Sequence, residues 1–125
     1  METIRYFNSH LKFLIWITIF LFLSCSQYRK HEMVISANML YGEWSLKGGE
    51  KYVNYPDIEF RKDSTAVLYS QADTIYRFTF YTRNDSLYLV DINGKIYVNR
   101  IKEFTNKTIV FDGIADVDKE QTFKR

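Results

Sequence analysis

The chain has 125 residues, which is enough for one ordinary domain with a modest core. Lys and Arg number 17 against 15 Asp and Glu, so the formal net charge is only +2 and no strongly basic surface for nucleic acid is expected. Tyr and Phe contribute 10 residues each, whereas Gly contributes 5 and Pro only 1. This balance argues against disorder and favours β-strands.

The first predicted element is an N-terminal export signal. A basic leader with Arg5, His10 and Lys12 precedes an apolar segment from Phe13 to Leu23, and the small residue Ser24 follows it. This three-part layout is typical of a secretory signal. The apolar segment is shorter than the about 20 residues that a transmembrane helix needs. An uncleaved signal anchor is the alternative interpretation.

The single cysteine of the chain, Cys25, lies directly after this segment. An exported protein without disulfides has little use for one cysteine, whereas a lipid acceptor needs one thiol between an apolar core and a polar tether. The segment resembles a bacterial lipoprotein signal peptide, which implies cleavage before Cys25 and a lipid anchor on its side chain. The expected division is a signal peptide at residues 1–24, a lipidated tether at 25–39 and a folded domain at 40–125. We expect a protein in the bacterial cell envelope, anchored in the outer membrane and facing the periplasm.

The folded domain is predicted to consist of eight short strands separated by turns. Runs rich in Tyr, Phe, Val, Ile and Thr recur at regular spacing, which is typical of an antiparallel all-β domain. Because the connections are short, consecutive strands must pair, and closure into an up-and-down barrel removes the two exposed edges. The predicted strands are 41–47, 51–60, 64–71, 74–82, 86–92, 95–104, 107–112 and 120–125.

Two local signals refine this assignment. Pro56 cannot donate a hydrogen bond to a neighbouring strand, so the second strand is expected to be irregular before Ile58. The pair Asn93-Gly94 predicts a type I′ hairpin turn, in which both central residues have positive φ.

The first strand carries a motif with a family resemblance. Period two places Gly42, Trp44 and Leu46 on its inner face. This Gly-x-Trp start, followed by further strand-like runs, resembles the lipocalin-like family of small bacterial envelope lipoproteins. The resemblance, over about residues 40–125, implies that Trp44 plugs the closed end of the barrel and that Arg125 packs across it. Gly42 is expected to leave room for the crossing chain.

The lumen of an eight-stranded barrel can either hold one small ligand or be filled by side chains. In the fourth strand, alternation turns Tyr76 inward and Arg77 outward. The fifth and sixth strands have bulky residues on both faces, so the alternation does not decide which face of either strand points inward. Arg77 and Arg100 are expected on the outer surface, and either would anchor an acidic ligand if it faced inward. The residues predicted to line a ligand site are Leu68, Tyr76, Phe78, Phe80 and Leu89, and the tyrosines considered for its polar groups are Tyr69, Tyr76, Tyr88 and Tyr97.

The predicted domain offers little for catalysis. It contains no cysteine and no histidine, so thiol nucleophiles, Ser-His-Asp arrangements and His or Cys metal sites are excluded within it. The acidic segment 112–120 lacks the EF-hand register and is interpreted as a solvated loop rather than a calcium site. Asp57 and Glu59 are interpreted as an exposed strand face rather than a catalytic acid and base. No catalytic residue, metal or cofactor is predicted, and the chain is not expected to be an enzyme.

Two function classes remain. The first is a lipid-anchored, lipocalin-like envelope protein that binds a small apolar or amphipathic molecule. The second is an interaction or structural lipoprotein with a filled barrel, which an exposed cluster of Tyr52, Tyr55 and Tyr81 would support. An enclosed apolar cavity of about 300 Å³ or more would favour ligand binding, whereas a lumen packed by aromatic rings would favour an envelope protein partner. A monomer is expected in either case.

Overall fold

The computed structural model describes residues 12, 14–17, 32–47, 55–70 and 74–125. The chain divides into two compact units, Met1–His31 and Glu32–Arg125. In the first unit, Lys12 and residues 14–17 are helical. Among the described residues, no helix is both long enough and apolar enough to cross a membrane. Cys25, the predicted lipid acceptor, lies outside the described residues.

The second unit contains a closed, eight-stranded antiparallel β-barrel, which confirms the predicted all-β fold class. Each strand pairs with the next, and β8 returns to β1 through the pairs Ser45–Lys124 and Leu46–Phe123. A four-residue helix, α1 (Ala37–Leu40), precedes the first strand. The strands are β1 (Gly42–Leu46), β2 (Asp57–Phe60), β3 (Thr65–Tyr69), β4 (Ile75–Arg83), β5 (Ser86–Val90), β6 (Ile96–Phe104), β7 (Thr108–Phe111) and β8 (Gln121–Lys124).

The strand limits follow the hydrophobic pattern closely, and β2 shows the expected effect of proline. β2 begins at Asp57, directly after Pro56. Although Pro56 has no N–H to donate, its carbonyl accepts the N–H of Leu46 at 2.8 Å. The chain therefore keeps contact with β1 up to the point where regular pairing starts.

The turn between β5 and β6 differs from the predicted type I′ hairpin. Gly94 has a φ of +83°, but Asn93 does not have positive φ. Asp91 N–H donates to the Lys95 carbonyl and Gly94 N–H donates to the Asp91 carbonyl, both at 3.0 Å. These bonds enclose a three-residue loop, Ile92 to Gly94, of the kind that combines a type I turn with a left-handed glycine. The Asp91 carboxylate stabilises it by accepting the N–H groups of Asn93 and Lys95, each at 2.9 Å.

Apolar side chains fill the barrel, and one polar side chain is buried with them. β5 directs Leu87 and Leu89 inward, and β6 directs Asn99 inward. Asn99 is the one buried polar residue in the described part of the chain. Its amide nitrogen donates to the carbonyls of Leu87 and Tyr97 at 3.1 Å, and its oxygen accepts the N–H of Ala115 at 2.8 Å. Asn99 thereby ties the connection between β7 and β8 to the wall of the barrel.

The segment before β1 belongs to the folded unit. Ile35 and Leu40 are buried in the core, and Ile35 N–H donates to the Asn84 carbonyl at 2.7 Å. The compact unit begins at Glu32, whereas the predicted domain started at residue 40 with a tether before it. Burying two side chains of this size stabilises the fold by about 1.5–3 kcal/mol each. A four-residue helix is too short to show the helical period in the sequence.

Candidate functional site

The meander gives the barrel two ends of different composition. We call the end that carries α1, Trp44 and Arg125 the closed end. The other, which carries the β5–β6 turn and the connection between β7 and β8, we call the open end. Because successive strands run in opposite directions, Tyr55 before β2 and the first residues of β4 and β6 also lie at the open end.

At the closed end, Trp44 is enclosed on all sides. It is fully buried, and its indole N–H donates to the Leu40 carbonyl at 2.8 Å. The guanidinium carbon of Arg125 lies 4.2 Å from the centroid of the Trp44 ring system. Arg125 also donates to the carbonyls of Asn106 at 2.6 Å and Tyr41 at 2.9 Å. The structure thus brings together the tryptophan and the arginine that the family resemblance paired.

Gly42 also lies at the closed end, but conformation rather than space explains it. Its φ is +116°, a value that L-residues with a side chain rarely adopt. A Cβ at this position would meet the nearest atom, Nη1 of Arg125, at 4.0 Å, which is an ordinary contact. The backbone bend at the start of β1, not the closeness of the crossing chain, requires glycine.

The middle of the lumen is filled. Leu68, Phe80 and Leu89, three of the five predicted ligand-lining residues, are buried in the core. The rings of Phe60 and Phe80 pack edge to face with centroids 5.1 Å apart. A ligand therefore has no access to these three side chains in this conformation, because their surfaces are already in contact with the rest of the core.

A cleft of about 490 Å³ occupies the open end. This volume is within the range of small-molecule sites, about 300–1,000 Å³. The two remaining predicted ligand residues, Tyr76 and Phe78, line it, and Phe78 also belongs to the buried core. The aromatic and acidic side chains that line the cleft are Tyr55, Tyr76, Phe78, Tyr97, Asp91 and Asp116.

The rings of the cleft form two perpendicular pairs. Tyr55 and Tyr76 meet with centroids 5.7 Å apart and an interplanar angle of 86°. Phe78 and Tyr97 meet at 6.0 Å and 90°. Edge-to-face contacts of this kind are a preferred arrangement of aromatic side chains. They fix the rings while Tyr76 keeps 44% of its surface exposed, so part of the cleft wall is aromatic and accessible.

A tyrosine and a carboxylate are joined at the wall of the cleft. The hydroxyl of Tyr55 donates to Oδ1 of Asp116 at 2.5 Å. Burial, together with the hydrogen bond to this carboxylate, raises the pKa of the Tyr55 phenol well above its usual value. Tyr55 therefore remains a neutral donor that holds Asp116 in place. Tyr55 is buried, so it does not contribute to the exposed tyrosine cluster that would support a protein partner, and Tyr52 lies outside the described residues.

The ammonium of Lys95 also lies at the open end. It is 4.7 Å from the centroid of the Tyr97 ring, within cation–π range. Lys95 is exposed and directly precedes β6, whereas Tyr97 is half-buried and lines the cleft. A ring that lines the cleft thus already contacts a positive charge that belongs to the protein.

The two arginines considered as ligand anchors lie on the outer surface. Arg77 comes between the inward-facing Tyr76 and Phe78, so the alternation of β4 turns its side chain outward. Arg100 has 59% of its side chain exposed and forms an ion pair with Asp85 at 3.2 Å. Arg100 is therefore not positioned to hold an acid inside the barrel, whereas Arg77 borders the cleft at the open end.

Several of the other acidic groups have structural partners. Asp112 and Glu120 flank Lys102 at 3.8 and 2.6 Å. Glu59 accepts hydrogen bonds from Arg61, which lowers the pKa of the Glu59 carboxyl. Within the described ranges, no group of three or more acidic or metal-ligating side chains is arranged to hold a metal ion.

An exposed apolar strip runs across the outer faces of β4, β5 and β6, and we call it the outer wall. The rings of Tyr81 and Tyr88 stack there with centroids 4.7 Å apart and an angle of 11°. Val98 pairs with Tyr88 on the next strand, and Ile96 lies two residues before Val98. Tyr81, Ile96 and Val98 are all exposed.

The sequence did not identify Tyr55, Asp91 and Asp116 as cleft residues. Tyr55 precedes a proline and falls outside the regular alternation of β2. Asp91 falls inside the predicted strand 86–92, but β5 ends at Val90 and Asp91 closes the loop from Ile92 to Gly94. Asp116 lies in the β7–β8 connection, whose position depends on the bond between Asn99 and Ala115. The strongest sequence signal for the cleft is its tyrosines. Tyr76 and Tyr97 are both candidates for the polar groups of a ligand site, and both line the cleft.

Comparison with known proteins gave no relative: no family model, no curated protein and no solved structure matches the chain. The lipocalin-like assignment therefore stays a prediction from the Gly-x-Trp start and the terminal arginine. Function has to be inferred from the geometry of the open end.

Proposed function

We propose that this chain is a lipid-anchored binding module of the bacterial envelope that takes a small amphipathic molecule at the open end of its barrel. The observation that carries this proposal is the cleft of about 490 Å³ at that end. Binding sites for small molecules combine mostly apolar walls with a few placed polar groups. The cleft has this composition.

The proposed ligand binds at the mouth of the barrel rather than deep in the lumen. Tyr76, Phe78 and Tyr97 supply apolar surface, and Asp91 and Asp116 supply charge. Below them the core is filled, so a long apolar chain has no room to descend toward Trp44. We therefore expect a ligand with a compact head in the cleft and any remainder in solvent.

The test is native mass spectrometry of the full chain purified from its own membrane. Tyr76→Ala removes a cleft ring, and Tyr81→Ala is the matched control because it lies on the same strand, 40% exposed against 44%, on the outer face. A small molecule that copurifies with the wild type and with Tyr81→Ala, but not with Tyr76→Ala, supports the proposal. Absence from the wild type, or undiminished copurification with Tyr76→Ala, contradicts it.

The anchor is tested separately by Cys25→Ser. The lipid would attach outside the barrel, so the variant should stay folded and move from the membrane pellet to the soluble fraction. A variant that remains in the pellet, and resists extraction as the wild type does, would mean that residues 13–23 are an uncleaved anchor.

A second candidate function is binding to another envelope protein. The filled lumen and the exposed outer wall favour it, because contiguous apolar surface often marks an interaction site. The same purification separates the two candidates. A protein that copurifies with the wild type and is lost in Tyr81→Ala, with no bound small molecule, would favour this candidate.

A further inference from the structure

In the described part of the chain, two of the three charged residues that line the cleft are acidic. Asp91 and Asp116 line the cleft, and the one basic lining residue, Arg77, faces outward by the alternation of β4. One oxygen of Asp116 accepts the Tyr55 hydroxyl, and the side chain makes no other hydrogen bond or ion pair within the described residues. The carboxylate therefore keeps hydrogen-bonding and electrostatic capacity for a ligand.

The rings beside these carboxylates suit a positive charge. The face of an aromatic ring attracts cations through its quadrupole, most strongly where water is partly excluded. Lys95 makes a contact of this kind within the protein, with its ammonium 4.7 Å from the Tyr97 centroid. Aromatic faces next to a carboxylate are the combination that recognises quaternary ammonium groups.

We propose that the open-end cleft binds an organic cation of the quaternary ammonium class, held by the rings of Tyr76 and Tyr97 and by the carboxylate of Asp116. This inference rests on the proposed ligand-binding function and specifies the charge of the ligand. Lys95 is then the protein's own cation that the ligand displaces from the face of Tyr97.

The contacts of Lys95 would allow a ligand to displace its ammonium from the Tyr97 ring. At the closed end, Arg125 stacks on Trp44 and is also fixed by two backbone carbonyls. The Lys95 ammonium, by contrast, makes no hydrogen bond or ion pair with the described residues, and the residue is exposed. Its flexible four-carbon stem allows the ammonium to leave the ring without disturbing the β5–β6 turn.

The experiment compares two probes of equal shape by calorimetric titration of the full chain in detergent. The probes are choline and 3,3-dimethylbutan-1-ol, in which carbon replaces the charged nitrogen. We expect choline to bind about 10-fold more tightly, because a cation–π contact with partial desolvation contributes on the order of 1–2 kcal/mol and 1.4 kcal/mol is a factor of ten. Tyr76→Ala should weaken both probes.

Two charge variants give effects of opposite sign. Asp116→Asn should weaken choline by about 5-fold and leave the alcohol unchanged, whereas Asp118→Asn, the same change in the same loop, should leave both unchanged. Lys95→Gln should strengthen choline by about 3-fold, because it removes a competing cation. Arg83→Gln is its matched control, since that guanidinium lies 5.7 Å from the Tyr88 ring on the outer wall.

The outcomes separate this inference from the proposed function. Equal affinities for choline and the alcohol, both lost in Tyr76→Ala, would overturn the cation inference and leave the binding function standing. Weaker choline binding after Lys95→Gln would also overturn it, because Lys95 would then support the site instead of competing with the ligand for the face of Tyr97. If neither probe binds and no small molecule copurifies, both proposals fail.

Discussion

The two ends of the barrel each place a cation over an aromatic ring, yet they surround that pair differently. At the closed end, Arg125 lies 4.2 Å from the centroid of Trp44, the ring is fully buried and the guanidinium donates to two carbonyls. At the open end, Lys95 lies 4.7 Å from the centroid of Tyr97, and that ring borders a cleft. The first pair completes the core, whereas the second lies beside the cleft that we propose as the binding surface.

This difference separates stability from binding along one small barrel. Burial of a large ring contributes several kcal/mol, while exposed aromatic residues contribute little to folding and remain available for contacts. We therefore expect substitutions at the closed end to change the free energy of unfolding and substitutions at the open end to change ligand binding.

The largest effect should come from Trp44→Ala. Removing this fully buried ring should lower the free energy of unfolding by about 3–5 kcal/mol, because it leaves a cavity and frees the Leu40 carbonyl. Urea melts followed by circular dichroism measure the change. A loss below about 1 kcal/mol would mean that the closed end does not depend on its tryptophan.

Asn99→Ala should have the next largest effect on the free energy of unfolding. Asn99 connects the barrel core with the β7–β8 connection at the open end. It leaves the Ala115 N–H without its acceptor and removes the side-chain donor to the carbonyls of Leu87 and Tyr97, at a cost of about 1–3 kcal/mol. Hydrogen exchange at the Ala115 amide should accelerate more than the global change in stability requires. Asn93→Ala, an exposed asparagine in the β5–β6 turn, is the control and should leave that amide unaffected.

Part of this architecture was accessible from the sequence because period-two alternation and turn residues are local. Eight strands and their order followed from those signals, and the position of Trp44 on an inward face followed from the alternation of β1. The sequence did not predict which face of β6 points inward, because Ile96, Tyr97 and Val98 are all bulky and the buried Asn99 interrupts the apolar pattern.

The candidate site was harder to predict because its residues come from separate connections. Tyr55 and Asp116 are far apart in the chain and meet through one hydrogen bond. The helix α1 was missed for a related reason, since the segment that carries it is held by the bond between Ile35 and Asn84, which are distant in the chain, rather than by a pattern within four residues. Non-local contacts of this kind leave no periodic trace.

Arg125→Ala should have a moderate effect, about 0.5–2 kcal/mol, through loss of the contact with Trp44 and of the bonds to Tyr41 and Asn106. The double mutant with Trp44→Ala should lose less than the sum of the single losses, because the two side chains are in contact. Strictly additive losses in urea melts would show that the stacked geometry contributes nothing to stability.

The smallest effect on folding should come from Tyr76→Ala. The ring is 44% exposed, so we expect the free energy of unfolding to fall by about 0.5 kcal/mol or less. Binding of the cleft ligand should nevertheless be lost, which a thermal melt and a choline titration of the same sample can establish. A loss of several kcal/mol in stability would place Tyr76 with the core instead.

The most direct test of the difference between the ends is a ¹H–¹⁵N NMR titration of the full chain with choline. We expect shifts of the backbone amides of Tyr76, Tyr97 and Asp116, which line the cleft. The indole N–H of Trp44, bonded to the Leu40 carbonyl at the closed end, should not move. Shifts at the Trp44 indole, or shifts confined to the outer wall while the three cleft amides stay unchanged, would contradict the assignment of binding to the open end.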